Sequence, residues 1–91
     1  MEEKFSIGDI VMSKAGRDKG HCFIIMSLDD EFAQICDGDL RKIDKPKKKK
    51  LKHLNKTHGS SQYIKDKLIE GTKVTNTELR RAISEIEETP A

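Results

Sequence analysis

The sequence predicts a mainly β fold: a small curled β-barrel over residues 1–55, then a linker and two C-terminal helices over residues 56–91. Three observations predict it. Short apolar runs alternate with polar, glycine-bearing turns through the first half of the chain, as strands and tight turns do. The apolar positions there do not repeat at the helical period of 3.6. After Asn55 the pattern changes, and apolar residues recur at helical spacing behind good capping residues.

Ile7 to Ser13 reads as the first strand, opened by Gly8-Asp9 and carrying Ile10, Val11 and Met12. Ala15 to Gly20 is too polar and too glycine-rich for a strand and is expected to be a loop. Cys22 to Leu28 is the second strand. Both of its faces are largely apolar, so it is expected in the middle of a tight barrel or covered on both sides. Asp29-Asp30-Glu31 turns the chain into a third strand, Phe32 to Cys36. Asp37-Gly38-Asp39 is another turn, and Leu40 to Ile43 is expected as a short fourth strand. Pro46 cannot donate to a sheet ladder, which makes Asp44 to Lys50 a loop or a sheet edge. Lys50 to Leu54 is expected as the closing fifth strand and Lys56 to Ser60 as the linker.

Ser61 to Glu70 reads as a helix, with Ser60 or Ser61 as N-cap, Ile64 and Leu68 one turn apart, and Gly71 as the stop. Thr75 and Glu78 stand at capping-box spacing before Leu79, Ala82, Ile83 and Ile86, which predicts a second helix from Asn76 to Glu87. The first helix is too short to persist alone, so the pair must pack on the barrel, on each other or on a partner.

A chain of 91 residues, 34% hydrophobic and 37% charged, fills one small core. No apolar run is long enough to span a membrane, and Met1-Glu2-Glu3-Lys4 has no secretory character, so a cytoplasmic location is expected. Cys22 and Cys36 sit in apolar stretches and read as reduced core residues, with a disulfide or a metal site involving His21 or His53 as alternatives. Catalysis finds little footing. The acids Asp29, Asp30 and Glu31 share one turn, and the Ala15–Gly20 loop lacks the Gly-Lys-Ser/Thr ending of a nucleotide-binding loop. Neither an enzyme nor a cofactor is expected.

Charge is sharply partitioned. Residues 1–40 carry a net −5, and residues 54–91 a net of zero. Between them, Arg41 to His53 holds eight basic side chains against one acid, Asp44. Such a stripe repels itself unless an anion neutralises it, and a phosphate backbone presents anions at regular spacing. Lysines favour phosphate as point charges without reading bases. The aromatics Phe5, Phe23, Phe32 and Tyr63 are few and partly needed for the core, so a structured RNA's shape and backbone are expected rather than splayed single strands.

Gly8-Asp9-x-Val11, then Ala15-Gly16, Lys19-Gly20 and the strand Phe23-Ile24-Ile25 resemble the KOW motif, a strand–loop–strand element of ribosomal proteins and transcription elongation factors. Gly16 and Gly20 can take positive φ, which lets the loop turn tightly and approach a ligand. The longer run from Ala15 to Cys22, through Asp29-Asp30 and Asp37-Gly38, to Leu51-Lys52-His53-Leu54 resembles the archaeal and eukaryotic large-subunit ribosomal proteins of the L-fourteen-e type. The resemblance covers residues 6 to 55 and implies an SH3-like barrel, RNA binding and association with the ribosome. Residues 56–91 inherit no function from it.

The candidate RNA contacts fall in two groups. The loop supplies Lys14, Arg17 and Lys19. The stripe supplies Arg41, Lys42, Lys45, Lys47, Lys48, Lys49, Lys50, Lys52 and His53. Together they are expected to clamp phosphates from two sides of one RNA, ribosomal RNA by the resemblance. The physics of the residues alone does not separate RNA from duplex DNA. The alternative is a protein-interaction module that uses the barrel edge or the helical stripe Leu79, Ile83 and Ile86.

Overall fold

The computed structural model describes residues 4–88, with His58 described by its backbone alone. The protein is mainly β: one five-stranded antiparallel sheet, curled into a half-barrel, with two helices on its outer face. The strands are β1 (Asp9–Ser13), β2 (Cys22–Leu28), β3 (Phe32–Cys36), β4 (Lys47–Lys50) and β5 (Leu54–Ser60), in the order β4-β3-β2-β1-β5. A single 3-10 turn, Leu51–His53, joins β4 to β5. The helices are α1 (Gln62–Glu70) and α2 (Asn76–Glu88).

The second strand explains the architecture. Residues 22–25 are buried in succession, because both faces of β2 are covered as its sequence requires. On one face Val11, Phe23, Ile25, Ala33, Ile35 and Leu54 fill the hollow of the curl, with Phe5, Ile7, Leu28 and Leu51 packed around them. On the other, Ile10, Cys22, Ile24 and Cys36 meet Ile64, Val74, Leu79 and Ile83 from the helical segment. Cys22 and Cys36 are therefore free thiols in the second core. Two register shifts, one between Asp9 and Val11 and one between Ile25 and Ser27, help the sheet curl. At the first, Thr57 Oγ1 donates to the Ile10 carbonyl at 2.7 Å.

The helices start and stop where their caps dictate. Ser61 Oγ accepts from the Ile64 N–H at 3.1 Å, and Gly71 ends α1 in the left-handed conformation. Thr75 and Glu78 form the reciprocal capping box: the Glu78 N–H donates to Thr75 Oγ1 at 3.2 Å and the Thr75 N–H to Glu78 Oε1 at 2.9 Å. Two glycines admit α2 to the sheet. A Cβ on Gly38 would overlap the Asn76 carbonyl, and one on Gly59 would overlap Ile86 Cδ1. Arg80 Nη1 donates to the Gly38 carbonyl at 2.6 Å and completes the docking.

Three expected elements differ. Leu40 to Ile43 is not a strand. Asp37 Oδ1 accepts from the N–H groups of Asp39 and Arg41, at 2.9 and 2.8 Å, and Asn76 Oδ1 takes the Ile43 N–H at 2.9 Å, so the amides a ladder needs are already bound. The fourth strand is instead Lys47–Lys50, a free edge of the sheet. Lys50 to Leu54 does not close the sheet; the 3-10 turn occupies most of it, and β5 runs on to Ser60 through the stretch expected as a linker. That strand has no apolar alternation to announce it, since its backbone pairs with β1 while most of its side chains stay polar.

Candidate nucleic-acid interface

The loop after β1 and the basic segment around β4 lie side by side. Gly16 and Gly20 adopt positive φ of 78° and 90°, as the sequence leads one to expect. The loop closes on itself through the Gly20 N–H, which donates to the Ser13 carbonyl at 2.8 Å, and the Lys19 N–H, which donates to the Gly16 carbonyl at 3.2 Å. Two contacts fix it to the basic segment. Lys49 Nζ donates to the Ala15 carbonyl at 2.9 Å, and the Lys14 N–H donates to the His53 carbonyl at 2.9 Å. Residues more than thirty apart in sequence thus form one surface.

Asp18 organises the junction. It is buried, with Arg41 Nη2 3.7 Å from Oδ1 and Lys49 Nζ 3.9 Å from Oδ2. The Lys49 side chain is only 10% exposed, and Arg41 Nε is buried with no hydrogen-bond partner. Arg41 and Lys49 therefore sit against a carboxylate rather than standing free for phosphate. These two candidates thus differ in setting from the rest of the stripe. A lone acid inside a basic loop was the one sequence signal for this role of Asp18.

The lysine run also divides between two faces. In a strand, neighbouring side chains alternate. Lys47 and Lys49 pair with Ile35 and Ala33, whereas Lys48 and Lys50 pair with Gln34 and Phe32. Lys48 and Lys50 place their ammonium groups 4.6 and 5.9 Å from the centre of the Phe32 ring. As an unpaired edge, β4 also gains from its lysines, which discourage strand addition by another chain.

The remaining candidates are open to solvent to differing degrees. Lys14, Arg17, Lys19, Lys42, Lys45, Lys48 and Lys52 are exposed, and Lys47, Lys50 and His53 are half-buried. None of these ten is in an ion pair among the described residues. Beside the 3-10 turn, Lys14, Lys50 and Lys52 share a groove of about 660 Å³ with Asp30 and Glu31, two carboxylates not anticipated as site residues.

The helical stripe is spent inside the chain. Leu79 and Ile83 are buried and Ile86 packs beside them, so that face is not open to a partner. The two helices are stapled by Glu78, which accepts from Lys67 Nζ at 2.6 Å and from the Tyr63 hydroxyl. No helix among the described residues is long and apolar enough to cross a membrane.

No family model matches the sequence, and no curated protein matches it significantly.

Proposed function

We propose that the protein is a KOW-type, SH3-like RNA-binding protein of the cytoplasm, associated with the ribosome or translation, that grips the backbone of a structured RNA. The observation that carries this reading is the junction of loop and basic segment through Lys49 and Ala15 and through Lys14 and His53. It supports a rigid two-sided cradle in which Arg17 and Lys19 approach a backbone from the loop while Lys48, Lys50 and Lys52 approach from the β4 side. The five-stranded curl supports the SH3-like reading, and the glycine geometry of the loop supports the KOW reading. Arg41, Lys49 and Asp18 are its internal brace.

Binding of this kind releases counterions. If about 4 to 6 phosphates are neutralised, log K falls with log salt at a slope of about −3 to −5. Fluorescence anisotropy with a ribosomal-RNA hairpin at several salt concentrations tests this. A slope near zero, or no binding at low salt, would count against the reading.

A further inference from the structure

The groove beside the 3-10 turn has a lining that a phosphate backbone alone does not explain. Its lining sets the basic residues Lys14, Lys50 and Lys52 beside the acidic residues Asp30 and Glu31. None of the five is in an ion pair among the described residues. Phe5, Leu51 and Leu54 add an apolar lining continuous with the core around Phe23. Carboxylates repel phosphate, and apolar carbon gains nothing from it. A ligand that suits the whole groove offers anions, N–H donors and a flat apolar face together. A nucleotide with an unpaired base does so, and about 660 Å³ lies within the roughly 300–1,000 Å³ of small-ligand sites.

The acidic wall is firmly mounted. Asp29 Oδ1 accepts from the N–H groups of Glu31 and Phe32, both at 2.8 Å, which fixes the turn between β2 and β3. The Leu51 N–H donates to the Glu31 carbonyl at 2.9 Å and ties that turn to the 3-10 turn. The two walls are thereby held in one piece. A carboxylate has two oxygens that accept and none that donates. Among the four RNA bases only guanine offers two parallel donors, N1–H and N2–H, on its pairing edge. Adenine and cytosine set a ring acceptor beside their amino group, and uracil flanks its single N–H with carbonyls.

We propose that this groove takes an unpaired guanosine from the bound RNA. The base lies against Phe5 and Leu51 and donates N1–H and N2–H to the Glu31 carboxylate, with Asp30 alongside. The neighbouring phosphates rest on Lys14, Lys50 and Lys52. The inference rests on the RNA-binding reading and deepens it from backbone recognition to one base. Bulges and loops of structured RNA are where such bases are available.

Anisotropy titrations of the whole protein with hairpins of one stem sequence test it, the hairpins carrying a bulged guanosine, a bulged inosine, a bulged uridine or no bulge. The guanosine bulge is expected to bind about tenfold or more tighter than the uridine bulge, the usual discrimination of a good bidentate pair. Inosine, which lacks the N2 amino group, should fall between them. Asp30→Asn with Glu31→Gln should erase the preference and leave the unbulged hairpin bound at least as tightly as before. Equal affinity for all four hairpins overturns this inference and leaves the backbone reading intact. A guanosine preference that survives the double substitution overturns it too. Failure to bind any hairpin overturns both.

Discussion

Lys49 Nζ donates to the carbonyl oxygen of Ala15, 34 residues earlier in the chain, at 2.9 Å. The third of four consecutive lysines is thus a bolt between β4 and the loop after β1, held beside Asp18 at 3.9 Å. Its neighbours Lys48 and Lys50 lie on the other face of the strand. A run that looks uniform in sequence therefore contains two kinds of residue.

The first prediction separates them. Lys49→Met should lower stability by about 2 kcal/mol, in the range of a hydrogen bond to a charged group. Lys52→Gln, at an exposed position, should change stability by no more than about 0.5 kcal/mol yet weaken RNA binding. Urea melts and binding isotherms of both variants give the comparison. Equal stability losses would remove the distinction.

The second concerns α2 on the sheet. Gly59→Ala drives a methyl group into Ile86 Cδ1 and should cost about 1–3 kcal/mol, as overpacked cores do. Adding Ile86→Ala should recover part of that loss, with a coupling of about 1 kcal/mol or more. Additive effects in a thermal or urea melt would mean that the two side chains do not meet.

The third is a pH effect. The Lys67 ammonium, then the Tyr63 hydroxyl and the Thr75 N–H, hold the Glu78 carboxyl down from 4.5 to about 2. A depressed folded-state value contributes stability that is present above the unfolded value and lost as pH falls through the folded one. The α1–α2 staple should therefore weaken between about pH 4.5 and 2, and Glu78→Gln should flatten the melting temperature across that window. An identical acid profile for the variant would show that Glu78 is not the titrating group.

The fourth concerns the thiols. Burial, followed by the nearby charges of Asp37 and Asp44, pushes Cys36 up to about 11, and burial also raises Cys22. Thiolate is the reactive form, so Cys36 should resist iodoacetamide at pH 8 in the folded protein and react readily once the chain is unfolded. Native alkylation at the unfolded rate, read by mass spectrometry, would contradict that placement.

The sequence announced those elements whose local chemistry and packing agree. Apolar residues on both faces located Cys22–Leu28, and Thr75 with Glu78 located α2, because burial and capping leave direct marks. β5 left none, since Lys56 pairs with Val11 through its backbone and its side chain takes no part in the core. Leu40 to Ile43 misled because the competitors for its backbone, the side chains of Asp37 and Asn76, lie four and 33 residues from the amides they take. At the candidate site the basic segment and the loop were plain from charge and glycine spacing. The brace at Asp18 and the groove at Glu31 arise only when distant stretches meet.

Loop and basic edge are proposed to act as one RNA-binding surface. This is tested most directly by titrating a structured RNA hairpin into isotope-labelled protein and following the backbone amides by NMR. The largest shifts should fall together in Lys14 to Gly20 and in Lys47 to His53, saturating at the same RNA concentration, while the exposed faces of α1 and α2 stay still. Shifts confined to the helices, or to one basic stretch with the other unmoved, would contradict it.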